Sequence, residues 1–231
     1  MLHSATLDWI TPNAEQVIAR HARVSTKDPD RSEYTQLLSY CIKHGHWSVF
    51  EQAAASFEIT TTRAISPQIL RHRSCAFQEL SQRYTNPSET LTLGGRPPHE
   101  FSLRWQADKN RQSSAKEVDA ATQALFRSRI LLLHQDVQTL YTDMLDAGIA
   151  RECARNILPE YTPTRLHMQG TLRSFLTYVG LRGQEETQLE HRLIAQSIGK
   201  LLAEQLPVVI KAIQAADDAG LGGWAFLNKP C

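Results

Sequence analysis

Cysteine is scarce and scattered: Cys41, Cys75, Cys153 and Cys231 are the four in 231 residues, and no two form a Cys-x-x-Cys pair. That spacing argues against a zinc ribbon or a redox dithiol and fits free thiols in a reducing cytosol. Long apolar runs are missing, none approaching the roughly 18 residues of a membrane-spanning helix. The start, Met1 to Thr6, lacks a charged stretch followed by an apolar one. A soluble, cytoplasmic protein without a membrane partner is expected. Net charge is nearly absent as well, 25 Lys and Arg against 24 Asp and Glu giving +1. A protein of long nucleic acids carries a strong basic excess, so no nucleic-acid partner is expected. Local clusters of arginine point to a small phosphorylated ligand instead. There are no internal repeats. The 42% of hydrophobic residues suffices for one substantial core, and the length favours a single domain over 1–231.

Ser4 to Ile10 reads as a short strand that stops at Thr11-Pro12-Asn13, and Ala14 to Ala22 as a helix. Asp28 to Arg31 is a turn, and Ser32 is placed to cap a second helix with Tyr34, Leu37, Leu38, Cys41 and Ile42 at helical spacing. Gly45 ends it. Phe57, Ile59 and Thr61 alternate with Glu58, Thr60 and Thr62, as a half-buried strand does. Arg63 to Leu70 predicts a helix whose start or kink is set by Pro67. Asn86 to Pro98, rich in Pro, Gly, Ser and Thr, reads as a loop or lid within an irregular excursion over 86–110. From Ser114 to Ala147 the periodicity predicts one long scaffold helix, or two in tandem, closed by Gly148. A short helix over 150–159, a strand from Thr164 to Met168, a helix opened by Gly170 and closed by Leu181-Arg182, and helices from Gln188 and beyond Pro207 complete the chain.

The densest chemistry lies in Arg71-His72-Arg73-Ser74-Cys75-Ala76-Phe77-Gln78-Glu79-Leu80-Ser81-Gln82-Arg83-Tyr84. Guanidinium forks bind phosphate oxygens bidentately and stack on flat rings. An arginine-rich surface loop is the plainer reading of Arg-x-Arg alone. It weakens because Ile69-Leu70, Phe77, Leu80 and Tyr84 would serve no purpose on a solvated face. Arg151 and Arg155 share a helical face, Arg151 being the one expected to pair on the surface with Glu152. His44 and His46 lack Cys or acidic partners at ligand spacing, so no metal site is expected.

This stretch resembles the signature of the flavin-dependent thymidylate synthases: Arg-His-Arg, seven residues, then Ser, closing in Ser-x-Arg-Tyr. The likeness runs in order from about 20 to 205 through His44-Gly45-His46, Ala154-Arg155-Asn156-Ile157-Leu158-Pro159, Leu181-Arg182 and Gln188-Leu189-Glu190-His191-Arg192. Ala76 and Gln78 stand where many members carry Ser and Asn, and Thr171 and Thr177 where Asn is usual. The resemblance implies an α+β fold, a single domain with a small antiparallel sheet packed against long helices.

It further implies methylation of dUMP to dTMP, with methylenetetrahydrofolate as carbon donor and NADPH as reductant. Reduced FAD would mediate the methylene transfer and supply the hydride, leaving no need for an enzyme nucleophile. By the resemblance, Ser81, Arg83 and Arg155 hold the phosphate of dUMP, and Gln68, Arg71 and Glu79 position sugar and base beside Leu80 and Gln82. Arg182 favours the ionised N3 of uracil, although a cation closing a helix is the plain alternative. FAD falls to His46, Ser48, Arg71, His72, Arg73, Gln78, Glu79, Thr171, Arg173 and Thr177. A homotetramer with shared sites is implied too. The alternatives are a divergent flavoprotein methylating or hydroxymethylating another pyrimidine nucleotide, and an inactive nucleotide- or RNA-binding paralogue.

Overall fold

The computed structural model describes residues 2–86 and 102–218. Strand β1 (Ser4–Ile10) and helix α1 (Ala14–Ala22) fall where the sequence pattern puts them. Helix α2 (Thr35–Lys43) starts later than expected. Ser32 does not cap it, and the Glu33 carboxylate accepts the Thr35 N–H at 2.9 Å instead. Gly45, at φ +68, reverses the chain after α2, in the left-handed region that glycine enters without steric cost. Its N–H bonds the Ile42 carbonyl and the next N–H, of His46, bonds that of Cys41. A 3₁₀ turn (Trp47–Gln52) then leads into β2 (Ala54–Thr62).

The expected helix over 63–70 shrinks to α3 (Ser66–Ile69), with Pro67 in its first turn. Arg63 and Ala64 are held outside it because their N–H groups bond the carbonyls of Thr162 and Glu160. The polar signature then becomes a strand, β3 (Cys75–Glu79). Part of the 86–110 excursion is ordered as well, since β4 (Arg104–Gln106) pairs with β5 (Ser114–Glu117). The loop reading of Asn86 to Pro98 lies, beyond Asn86, outside the described residues. Because Ser114–Glu117 is a strand, the long helix α4 runs only over Ala120–Asp146, capped by the Asp119 carboxylate on the Thr122 N–H. Helix α5 (Arg151–Ala154), a 3₁₀ turn (Arg155–Ile157), β6 (Pro163–Thr171), α6 (Leu172–Arg182), α7 (Leu189–Gln205) and α8 (Pro207–Asp218) follow. β6 runs through Gly170, expected to open the next helix, as far as Thr171, which caps α6.

The main sheet is four-stranded and antiparallel, in the order β1-β2-β6-β3. Its inner face carries Phe57, Ile59, Leu166 and Met168, all buried with Phe175, Ile194, Ile198 and Leu202 of the helices. The fold is therefore mixed helix and sheet, with a small antiparallel sheet against long helices. Within the protomer α4 is less of a scaffold than its periodicity suggests. Tyr141 is its one buried residue, while Leu125, Phe126, Leu132, Leu133 and Leu140 are exposed. Among the described residues no helix is long and apolar enough to cross a membrane.

Candidate nucleotide and flavin site

The signature alternates between inside and outside. Arg71 and Arg73 are exposed, and His72 between them is half-buried. His72 Nε2 lies 3.2 Å from the Ser174 carbonyl, and its ring meets Tyr178 edge-on at 5.2 Å. An N–H on Nε2 donates to that carbonyl. Burial is the chief cause that lowers the His72 pKa, and the charge of Arg182 adds to it while the Ser174 bond opposes. The ring is therefore neutral at physiological pH.

Pairing with β6 sets the next residues. Cys75, Phe77 and Glu79 face Gly170, Met168 and Leu166, whereas Ala76 and Gln78 lie opposite Gln169 and His167 on the exposed face. Gln78 therefore points away from Glu79, its neighbour in sequence. Glu79 Oε1 is 2.6 Å from Arg63 Nη1 and accepts the Thr164 hydroxyl at 2.9 Å. Arg63 and Thr164, which the sequence reading did not single out, hold the Glu79 carboxylate. Their only signal was the register of strands distant in sequence.

Leu80 extends the pairing by bonding the Arg165 carbonyl, and Ser81 opens a turn whose carbonyl accepts from Tyr84 and Thr85. Half-buried Ser81 and Gln82 are followed by exposed Arg83. Arg83 reaches Glu152 at 3.4 Å, and Arg151 donates to the Tyr84 carbonyl at 3.1 Å. Glu152 thus pairs with Arg83 and not, as expected, with Arg151. These contacts lay the signature's end against α5, next to the 3₁₀ turn that begins with half-buried Arg155.

At the other end, α6 packs on the 3₁₀ turn over 47–52. This brings the corner with exposed His46 and Ser48 to the face carrying exposed Arg173 and Thr177. Arg173 pairs closely with Glu51. The Thr171 hydroxyl caps α6 by accepting the Ser174 N–H at 3.2 Å, and the Thr177 hydroxyl donates to the Arg173 carbonyl at 3.0 Å. Both hydroxyls are engaged with the helix backbone. The Ser174 hydroxyl donates to the Ser74 carbonyl at 3.1 Å, so α6 is tied to the signature and to the His46 corner at once.

Gln68 Nε2 donates to Gln188 Oε1 at 2.8 Å, and Gln188 in turn donates to Glu190, which pairs with Arg104 at 2.7 Å. Arg182 closes α6, its Nε buried and without a hydrogen-bond partner. One turn earlier, the Tyr178 hydroxyl lies 3.0 Å from His191 Nε2. Tyr178 and His191 were also missed, reading in sequence as ordinary helix positions.

A cleft of about 660 Å³ lies between the β4-β5 hairpin and residues 185–192, and another of about 380 Å³ lies beside Arg104, Gln188 and Glu190. Neither is lined by Arg71, His72, Arg73, Arg83, Arg155, Arg173 or Arg182; of these Arg71, Arg73, Arg83 and Arg173 are exposed, and His72, Arg155 and Arg182 are half-buried. Among the described residues, none pairs ionically with Arg71, Arg73 or Arg155. Free guanidinium groups on either side of the half-buried His72 suit a flavin's pyrophosphate and ring acceptors as well as a nucleotide phosphate.

The fold is α+β and carries a cluster of unpaired arginines, and comparison with known proteins gives its family. Residues 6–208 match the family described as thymidylate synthase complementing protein, Thy1, and the chain belongs to it. It is 43% identical over 200 residues to a flavin-dependent thymidylate synthase of Synechocystis, covering 87% of this chain and 89% of that one. A probable flavin-dependent thymidylate synthase of Paramecium bursaria Chlorella virus 1 is 42% identical over 202 residues, covering 87% and 90%. In fold the chain is similar to a UMP/dUMP methylase, PolB, of Streptomyces cacaoi bound with 5-Br dUMP. The TM-score is 0.75 at 23% identity, over 92% of this chain and 94% of that one.

Proposed function

We propose that this chain methylates dUMP to dTMP, taking its carbon from methylenetetrahydrofolate and its reducing equivalents from NADPH through bound FAD. Family membership supports the reaction class. The observation that carries the reading is the placement of the signature between two cationic ends. Ser81 and Arg83 lie against α5 near Arg155, and Arg182 leaves α6 beyond His72 with a buried guanidinium nitrogen free to donate.

In this reading Ser81, Arg83 and Arg155 hold the phosphate, while Gln68, Arg71, Glu79, Leu80 and Gln82 position sugar and base. Arg182 stands at the imide edge of uracil and stabilises the ionised N3, which raises electron density at C5. His46, Ser48, Arg71, His72, Arg73, Gln78, Glu79, Thr171, Arg173 and Thr177 hold the flavin. When bound, it supplies the redox chemistry that no side chain of the protein can. The exposed arginines of the protomer and the bare apolar side of α4 support a homotetramer whose sites are completed by neighbouring copies. The free thiols at Cys41, Cys75 and Cys153 support a cytoplasmic setting.

Anaerobic titration tests this. Protein loaded with FAD is expected to be yellow and to bleach on addition of NADPH. A protein that takes up no FAD sinks the flavoenzyme reading.

A further inference from the structure

Side chains from three segments distant in sequence form one hydrogen-bonded chain that ends just before the signature. Arg104 of β4 begins it: Nη2 donates to Glu190 Oε1 at 2.7 Å, Nε to the Ser114 hydroxyl at 2.7 Å and Nη1 to the Ser102 carbonyl at 3.2 Å. Gln188, at the start of α7, donates from Nε2 to Glu190 Oε2 at 3.0 Å. Gln68 of α3 donates from Nε2 to Gln188 Oε1 at 2.8 Å. The Arg104 and Glu190 side chains are the sheltered end, 12% and 20% exposed, whereas Gln188 is open to solvent.

The direction of this chain is not free. Burial acts to raise the Glu190 pKa, but the bonds from Arg104, from its own backbone N–H and from Gln188 outweigh it and the shift is downward. The group is a carboxylate at neutral pH, and a carboxylate only accepts. Gln188 must therefore turn its NH2 to Glu190 and its carbonyl oxygen to Gln68. Gln68 in turn gives its NH2 to Gln188, and its Oε1 is left for a donor from outside the chain. The Gln68 side chain makes no other hydrogen bond among the described residues. Turning over either amide alone would set two donors or two acceptors face to face.

We infer that Arg104, Glu190 and Gln188 are positioning residues, which orient the Gln68 amide so that it meets the nucleotide as a hydrogen-bond acceptor. The inference rests on the reading of Gln68 as a residue that positions the sugar and base of dUMP. Outside its phosphate, dUMP carries two donors, the N3–H of the ring and the 3′-hydroxyl of the sugar. The first is lost when N3 ionises beside Arg182, so the 3′-hydroxyl is the partner of Gln68 Oε1. Arg104, Glu190 and Gln188 act on the nucleotide through Gln68.

The test measures binding of dUMP and of 2′,3′-dideoxy-UMP, which lacks that hydroxyl, to the FAD-loaded protein by calorimetric titration, with thermal melts to show that each variant is folded. The parent is expected to bind dUMP about fivefold more tightly than the analogue, the effect of one hydrogen bond. Glu190→Gln keeps the shape. With its oxygen held by Arg104, the introduced amide donates to Gln188, which turns over both glutamines and withdraws the Gln68 oxygen, so the preference should vanish. Gln188→Leu removes the link without touching the Arg104 pair and should lower the preference to about twofold. Gln188→Glu combined with Glu190→Gln returns an acceptor to position 188 and should restore it. Loss of packing alone would weaken both nucleotides together and leave their ratio unchanged. An unchanged ratio in either single variant, or a folded double variant that does not regain it, overturns the inference. A parent that binds both nucleotides equally overturns it too and leaves the dUMP reading in place. A parent that binds neither overturns that reading as well.

Discussion

Glu79 Oε1 lies 2.6 Å from Arg63 Nη1, an ion pair between the end of β3 and the turn that follows β2. The same oxygen accepts the Thr164 hydroxyl from the intervening strand β6, so one carboxylate ties three strands together. Side-chain exposures of 36% for Arg63 and 15% for Glu79 place the pair between a surface contact and a buried one. Removing the partner of a buried charge costs more than the pair itself contributes, but solvent at Arg63 screens part of the effect. Arg63→Ala is expected to cost roughly 1 kcal/mol of stability. It should also weaken dUMP binding by about fivefold, measured by thermal melts and by calorimetric titration.

Arg182→Lys should leave dUMP binding nearly intact and lower turnover on the order of 10²-fold, the effect of removing one electrostatic stabiliser. A lysine retains the positive charge favoured at a helix C-terminus and loses the planar fork. Steady-state kinetics distinguish the two roles, because unchanged kcat would return Arg182 to helix capping.

Cys75 lies inside the signature between arginines, yet burial raises its pKa to about 11, with hydrogen bonds from Ser74 and Ser174 opposing. At neutral pH it is a thiol and a poor nucleophile. Cys75→Ala should therefore keep dTMP formation within about tenfold of the parent, allowing for repacking. The thiol also sets a steric limit, since a Cβ on Gly170 would come within 2.8 Å of Cys75 Sγ. Gly170→Ala alone should lose about 1–3 kcal/mol, and adding Cys75→Ala should recover most of it. The neighbours that then remain, at 3.5 and 3.6 Å, are ordinary contacts.

The buried imidazoles set an acid limb. His191 falls to about 4 in the folded protein and His72 is also lowered, against about 6.5 for an unfolded histidine. Between those values the unfolded chain binds more protons, so stability rises with pH through this window and is lost as pH falls from about 6.5 towards 4. The melting temperature should drop over that range in the parent. It should drop less in the Tyr178→Phe, His191→Leu double variant, where His72 is the member of the pair still titrating.

Much of the architecture is legible in the chain because it is local. Thr11-Pro12-Asn13 separates β1 from α1, Gly45 and Gly148 close helices, and Leu172 to Val179 show their apolar face at helical spacing. What is not legible depends on partners distant in sequence. The signature is polar because β3, among the described residues, is an edge strand paired on one side only, with Gly170 to Leu166. Ser114–Glu117 looks like the start of the long helix until Arg104–Gln106 is found beside it. In the site, the arginines stand out by type and spacing. Arg63 and Thr164 do not, since only strand register brings them to Glu79, and the contact of Tyr178 with His191 arises from the packing of α6 against α7.

The most direct test of the central claim is dTMP formation by FAD-loaded protein given dUMP, methylenetetrahydrofolate and NADPH under anaerobic conditions, followed by chromatography of the nucleotides. The account predicts dTMP in proportion to enzyme and NADPH consumed, abolished when dUMP or methylenetetrahydrofolate is left out. Flavin that is reduced by NADPH while dUMP is recovered unchanged would contradict it.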